Sequence, residues 1–439
     1  MAGLETTLEQ FVGHEAPEQL NARATRGPLL RVPTGNFLFL QGVNSPFFAR
    51  LAKALRDIGQ YVHSVRFNVG DELYGADGPN MACPGKAEDL EAWYAEVFRQ
   101  LDITDLVLFG DCRPVHRTAI QLARLQGIRV HVFEEGYFRP YWITLERDGV
   151  NNNSRLPRDP EWYRDVGKHI PRYQNGNAFK LSFTARAAHD VMYHAGGALN
   201  ALFYPKYRTH APFNAAVEYA GFIRQGLRLL RARSRDDALV ADVARERQPT
   251  YLLPLQLDSD AQIRDHSPFD NMTQVIEHVI DSFSLNAPFN ARLLVKNHPL
   301  TPGLVNYRRV TEALAREYDV ADRVEFMESG HMPTLLSHIN GMITVNSTAG
   351  ASALLHGRPT ITLADPIYAM PGLTHQGSLA DFWHTPDMPD IKLFHRFRNT
   401  VIHTTQVNGG FYTNCGMDMA VANCLEVLMA KTSRIEKYL

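Results

Sequence analysis

The strongest constraint on this chain is an alternation, seen twice, between short apolar runs and amphipathic helical patterns. In the first block the runs cover 37–41, 61–67, 105–109 and 128–135, and helical patterns fill 47–58, 87–100 and 117–125. Short apolar runs separated by helical stretches read as parallel strands covered on both faces. The second block repeats the scheme, with runs at 251–257, 292–296, 324–327, 341–345 and 360–363 and helical patterns at 272–283 and 307–317. Residues 178–247 are rich in Ala, Leu, Arg and Tyr and carry no strand pattern. The expectation is an α/β fold with two Rossmann-like domains facing a cleft. The first domain spans 30–177, a helical connecting region 178–247, the second domain 248–415, and a C-terminal helix 416–439. In such sheets ligands collect at the C-terminal ends of the strands.

Composition removes several function classes. A net charge of −2 argues against a dedicated nucleic-acid binder. The four cysteines, Cys83, Cys112, Cys415 and Cys424, match neither a zinc-ligand spacing nor a secreted disulfide framework, which points to a reducing cytoplasm. Residues 1–18 carry several acids and no apolar core of signal-peptide length. No run reaches the 18 apolar residues of a membrane span.

The run at 128–135 ends on Glu134 and Glu135, followed by Gly136, Tyr137, Phe138, Arg139 and Pro140. Paired carboxylates at a strand end beside aromatic walls suit acid, base or nucleophile chemistry on a sugar. They read equally as solvated acids in a loop. Gly136 suggests close substrate approach at this point. The strand at 292–296 runs into Lys296-Asn297-His298-Pro299, where His298 suits a phosphate oxygen or a leaving group, or is a plain turn histidine. Asn346-Ser347-Thr348 follows another strand and opens a helix, a place for a phosphate or for an ordinary cap. Asn44 and Ser45 open the first helix in the same way. Arg139, Lys206, Arg208 and His210 offer cations to an acidic sugar or lipid head group. Asp258-Ser259-Asp260 has the form of a metal-binding Asp-x-Asp, yet two acids are too few oxygen ligands, and a hydrogen-bonding loop is the better reading.

These segments, in this order, resemble the KpsS/LipB family of capsule polysaccharide proteins. The matching pieces are Leu40-Gln41-Gly42 with Ser45-Pro46-Phe47-Phe48, Phe67-Asn68 with Gly70-Asp71, and Glu134 to Pro140. They continue with Leu255-Gln256 through His266-Ser267, Lys296 to Pro299, Asn346-Ser347-Thr348, Tyr368 to Thr374, and Asn408 to Tyr412. The resemblance implies a GT-B-like retaining β-Kdo transferase, peripheral on the cytoplasmic face of the inner membrane of a Gram-negative bacterium. It implies CMP-Kdo as donor, lyso-phosphatidylglycerol as acceptor, other capsule assembly proteins as partners, and neither a metal nor another cofactor. In that scheme the first domain is the acceptor side and the second the CMP-sugar side. Glu135 is the nucleophile candidate with Glu134 in support, and His298 meets the CMP phosphate. Ser347, Thr348, Asn346, Lys296, Gln256 and Arg139 belong to the donor, and Asn44, Ser45, Arg208 and His210 to the acceptor. KpsC-like relatives look to carry Asp before the glycine, so the choice between Glu134 and Glu135 stays open. Two alternatives keep a place: a non-enzymatic capsule export or scaffold protein, and another nucleotide-sugar enzyme such as an epimerase.

Overall fold

The computed structural model describes residues 34–75, 78–83, 87–197, 199–205, 215–246, 248–258 and 260–439. Among the described residues, twelve strands form two sheets. In the first half lie β1 (Asn36–Phe39), β2 (Tyr61–Arg66), β3 (Asn80–Ala82), β4 (Asp105–Phe109), β5 (Arg129–Glu135) and β6 (Trp142–Arg147). Then come β7 (Thr250–Pro254), β8 (Arg292–Lys296), β9 (Val324–Met327), β10 (Gly341–Thr344), β11 (Thr360–Thr362) and β12 (Gln406–Asn408). The first sheet has the order β12-β6-β5-β4-β1-β2-β3 and the second β11-β10-β7-β8-β9.

All pairings of the second sheet are parallel, and β7 and β8 are buried at every position. That burial is why their sequences read as unbroken apolar runs. Both sheets are doubly wound, with the strand order reversing between the parallel neighbours β1 and β4 in one and β7 and β10 in the other. Such switch points leave a crevice where the following loops part. The helices between strands carry their own start signals. Asn68, Asn271, Asn306 and Ser347 each accept a backbone N–H of the first turn with the side chain. The helix Phe47–Asp57 buries Phe47, Phe48, Leu51, Ala52 and Leu55 along one stripe.

The chain departs from its sequence reading after β11. Strand β12 returns to the first sheet and pairs antiparallel with β6. The helix Asn414–Met429 follows it, and Met417, Ala420, Cys424 and Leu428 join Phe47 and Phe133 in the core under that sheet. Residues 406–415 therefore belong with the first sheet, not with 248–405. Strands β3, β6 and β12 have no counterpart in the sequence reading. Each is short or lies on the edge side of the sheet, where polar residues such as Arg147 and Asn408 break the apolar pattern.

The connecting region is helical, with helices Phe183–Gly197, Asn200–Phe203 and Ala215–Arg245. The first folds back on the first sheet, where Tyr193 donates its hydroxyl to Asp71 Oδ1 at 2.9 Å. The long helix packs Leu239 and Val243 on the second sheet. Among the described residues no helix is long and apolar enough to cross a membrane.

Candidate active site

The C-terminal ends of both sheets face one cavity of about 370 Å³. Glu134, Glu135, Arg139, Gln256, His298, Asn346, Ser347 and Thr348 all line it. A second cavity of about 330 Å³ shares Arg139, His298, Ser347 and Thr348 with the first and adds Lys296, Asn297 and Arg398. Lys296 thus stands in the adjoining cavity and not beside the acids.

Glu134 and Glu135 are consecutive on β5 and so leave opposite faces of the sheet. Glu135 shares the face of Phe133, and its Oε1 accepts from the Tyr412 hydroxyl at 3.0 Å. Arg186 Nη1 lies 3.4 Å from the same oxygen and its guanidinium stacks 4.8 Å from the Tyr412 ring centroid. Burial, then the Glu135 charge, pushes the Tyr412 hydroxyl above its ordinary range, so it stays a donor. Glu134 shares the face of Val132, and its Oε1 accepts the Glu135 N–H at 3.0 Å. Burial, reinforced by the charges of Glu135 and Asp260, raises its pKa to about 7.

Gly136 owes its identity to the backbone. A Cβ there would sit 2.0 Å from the Trp142 carbonyl oxygen, across the β5–β6 hairpin. The glycine is required by the hairpin and not by substrate approach.

On the opposite wall, His298 Nδ1 accepts the Leu300 N–H at 3.1 Å. The neutral ring then carries its proton on Nε2. Burial, then the cations Lys296, Arg139 and Arg186, lowers the His298 pKa to about 4, so at neutral pH it is an uncharged donor. Burial also lowers the Lys296 pKa. Ser347 caps the helix Thr348–Leu355 through Ala349 N–H at 3.2 Å. Thr348 is exposed at the helix start. At Gly350 a Cβ would meet the Tyr368 hydroxyl at 2.2 Å, and that hydroxyl donates to the Ser347 carbonyl. Gln256 and Asn346 are bound to each other across the β7/β10 switch point, with Gln256 Nε2 donating to Asn346 Oδ1 at 2.9 Å. Their side chains brace the loops.

Other expected positions fall elsewhere. Asn44 donates to Asp190 Oδ1 at 3.0 Å. Ser45 is fully buried, and its hydroxyl accepts from Phe47 N–H at 3.4 Å at the start of its helix. Neither lines the cavity: Asn44 is tied to the connecting helix through Asp190, and Ser45 is buried at the start of its own helix. Lys206, Arg208 and His210 lie outside the described residues. Asp258 accepts from Met272 N–H at 2.7 Å and from the Tyr307 hydroxyl, which makes it a loop brace as the sequence suggests. Asp260 lines the cavity, its pKa raised by burial.

Sequence reasoning passed over Arg186, Tyr412, Arg113, Asp111, Cys112 and His266, all at the cavity or against its acids. Arg186 sits in a helix that reads only as a connector, and nothing local aims it at Glu135. The segment Asp111-Cys112-Arg113 directly follows β4, a position that strand-end logic does point to.

Residues 104–412 match the family model described as capsule polysaccharide biosynthesis protein. The Escherichia coli capsule polysaccharide export protein KpsS is 36% identical over 378 residues, which is 86% of this chain and 96% of that protein. The capsule polysaccharide modification protein LipB of Neisseria meningitidis serogroup B is 33% identical over 384 residues, 86% of this chain and 92% of that protein. A solved structure of Thermosulfurimonas dismutans KpsC, titled beta Kdo 2,7 transferase, is 14% identical and covers 89% of this chain and 99% of its own, with a TM-score of 0.42, too loose an overlap to argue from. On the family match and on relatives similar over nearly their whole length, the chain belongs to the capsule polysaccharide biosynthesis protein family.

Proposed function

We propose that this chain is a retaining β-Kdo glycosyltransferase that moves Kdo from CMP-Kdo onto lyso-phosphatidylglycerol, beginning the poly-Kdo linker of a capsular polysaccharide. One observation carries the reading. Two carboxylates from the first sheet converge with an uncharged His298 and the open helix start at Thr348 on one cavity. The adjoining cavity meets the first at His298, Ser347 and Thr348. Two cavities that meet at His298, Ser347 and Thr348 suit a donor made of a sugar, one phosphate and a nucleoside.

In this reading the phosphate lies at His298 Nε2–H and Thr348, with the nucleoside toward Lys296 and the sugar toward β5. Arg139 faces the sugar carboxylate. The Glu135 carboxylate attacks the anomeric carbon, the bond to the phosphate oxygen breaks, and CMP leaves with the electron pair. The acceptor hydroxyl then attacks the same carbon, Glu135 departs, and the hydroxyl proton passes to Glu134. A carboxyl with a pKa near 7 is suited to taking and returning a proton at neutral pH. Environment thus separates the two acids as nucleophile and proton carrier. A donor with a single phosphate leaves less charge to neutralise than a diphosphate, so no divalent cation is assigned to the transfer.

The acceptor's membrane also has support. Phe183, Leu202, Phe203, Ile223 and Leu230 of the connecting helices are each about 70% exposed, and Arg231 and Arg233 are exposed just after Leu230. Apolar and cationic groups on one helical region suit an anionic lipid surface.

The test is to mix the purified chain with CMP-Kdo and a lyso-phosphatidylglycerol analogue and read the product by mass spectrometry. A Kdo-lipid with the anomeric configuration of the donor is expected. Folded protein that neither transfers nor releases CMP overturns the proposal. The export name carried by the E. coli relative favours a second reading, a non-enzymatic export component. CMP affinity separates the two, since a pure scaffold does not bind it.

A further inference from the structure

We propose that Asp111, Cys112 and His266 form a binding site for a zinc-class divalent cation that ties the two halves of the cleft together. Asp111 and Cys112 lie on the loop that leaves β4, and His266 lies on the segment that leaves β7, so the ligands come from both sheets. Cys112 Sγ is 3.1 Å from His266 Nε2 and 3.4 Å from Asp111 Oδ1. One ligand atom from each of the three residues lies within 4.8 Å of the others. Tetrahedral zinc with its usual bond lengths holds ligand atoms roughly 3.6 Å apart. The sulfur contacts need to open by only a few tenths of an ångström to admit the ion.

The donor set selects the metal. A thiolate, an imidazole and a carboxylate favour zinc and its neighbours, whereas magnesium and calcium take oxygen ligands. The residues behind the ligands are already in place. Asp111 Oδ2 accepts from Val150 N–H at 3.1 Å and from Asn153 Nδ2 at 3.0 Å, which turns Oδ1 toward the sulfur. The His266 carbonyl accepts from Asn346 Nδ2 at 3.2 Å, anchoring its loop. Arg117, on the helix that follows the ligand loop, is paired with Asp265 beside His266. All three ligands line the main cavity, so the fourth coordination position opens into it. The ion is a clamp on the cleft, separate from the groups assigned to sugar transfer.

Cobalt(II) is the probe. The full chain, stripped by chelator and titrated with Co²⁺, is expected to bind one equivalent with a thiolate-to-cobalt charge-transfer band that Zn²⁺ abolishes by displacement. Cys112→Ser removes the band, and His266→Gln weakens cobalt binding at least about tenfold. Zn²⁺ raises the thermal unfolding midpoint of the parent chain and not that of Cys112→Ser. A titration without the band, a band that survives Cys112→Ser and so comes from Cys83 or Cys415, or unchanged affinity in His266→Gln each overturns the proposal. The last measurement stands alone if Cys112→Ser does not fold.

Discussion

Consecutive positions on β5 send Glu134 toward the Val132 face and Glu135 toward the Phe133 face, and their partners differ accordingly. Removing the attacking carboxylate is expected to be far worse than altering its neighbour. Glu135→Gln loses on the order of 10³-fold or more in turnover while CMP still binds, read by transfer kinetics and calorimetry. Retained turnover moves the nucleophile to Glu134. In Glu134→Gln the limb of the pH–rate profile near pH 7 disappears, because the group titrating there is gone. A third acid, one layer behind the cavity wall, tests the electrostatics. Glu146 is buried, accepts from the Tyr137 hydroxyl at 2.7 Å and from Ser154 Oγ, and burial raises its pKa from 4.5 to about 7. Between those pH values the folded chain keeps a proton that the unfolded chain has lost, so stability falls as pH rises through the window. The loss reaches about 3 kcal/mol above pH 7. Glu146→Gln is expected to be near neutral at pH 5 and stabilising at pH 8 by urea unfolding; an unchanged pH slope rules this out.

Elements place these residues through backbone contacts that the side-chain pattern does not announce. The β5–β6 hairpin brings Trp142 so close that only glycine fits at 136. Gly136→Ala is expected to cost about 3 kcal/mol and to lower the thermal midpoint by several degrees. A variant as stable as the parent refutes the contact. The helix Thr348–Leu355 is legible from its cap, Ser347, and from the small residues that follow. The strands at 105–109, 292–296 and 324–327 also read correctly to the residue, because each is a mostly buried apolar run whose ends fall at polar or turn residues. The edge strand β3 fails by the same reasoning, because it exposes both of its end residues and leaves no apolar signature.

At the scale of the molecule, the decisive feature is the return of the chain from the second sheet to the first. Strand β12 and the helix Asn414–Met429 complete the first core, burying Val407, Phe411, Met417, Ala420, Cys424 and Leu428. A chain ending at 405 strips that core and is expected to be insoluble or to lack a cooperative unfolding transition, checked by expression and circular dichroism. A stable, cooperative truncation contradicts the architecture. The sequence by itself determined the α/β class, the two alternating blocks and the strand ends bearing Glu134, Glu135, His298 and Ser347. Those depend on local periodicity and on the rule that ligands gather at strand C-termini. Only the tertiary structure decided that Arg186 and Tyr412 clamp Glu135, that the two acids occupy different environments, and that Cys112 meets His266. Those pairings join residues 51, 277 and 154 positions apart, where chain folding sets distance, burial and charge, and no local pattern encodes them.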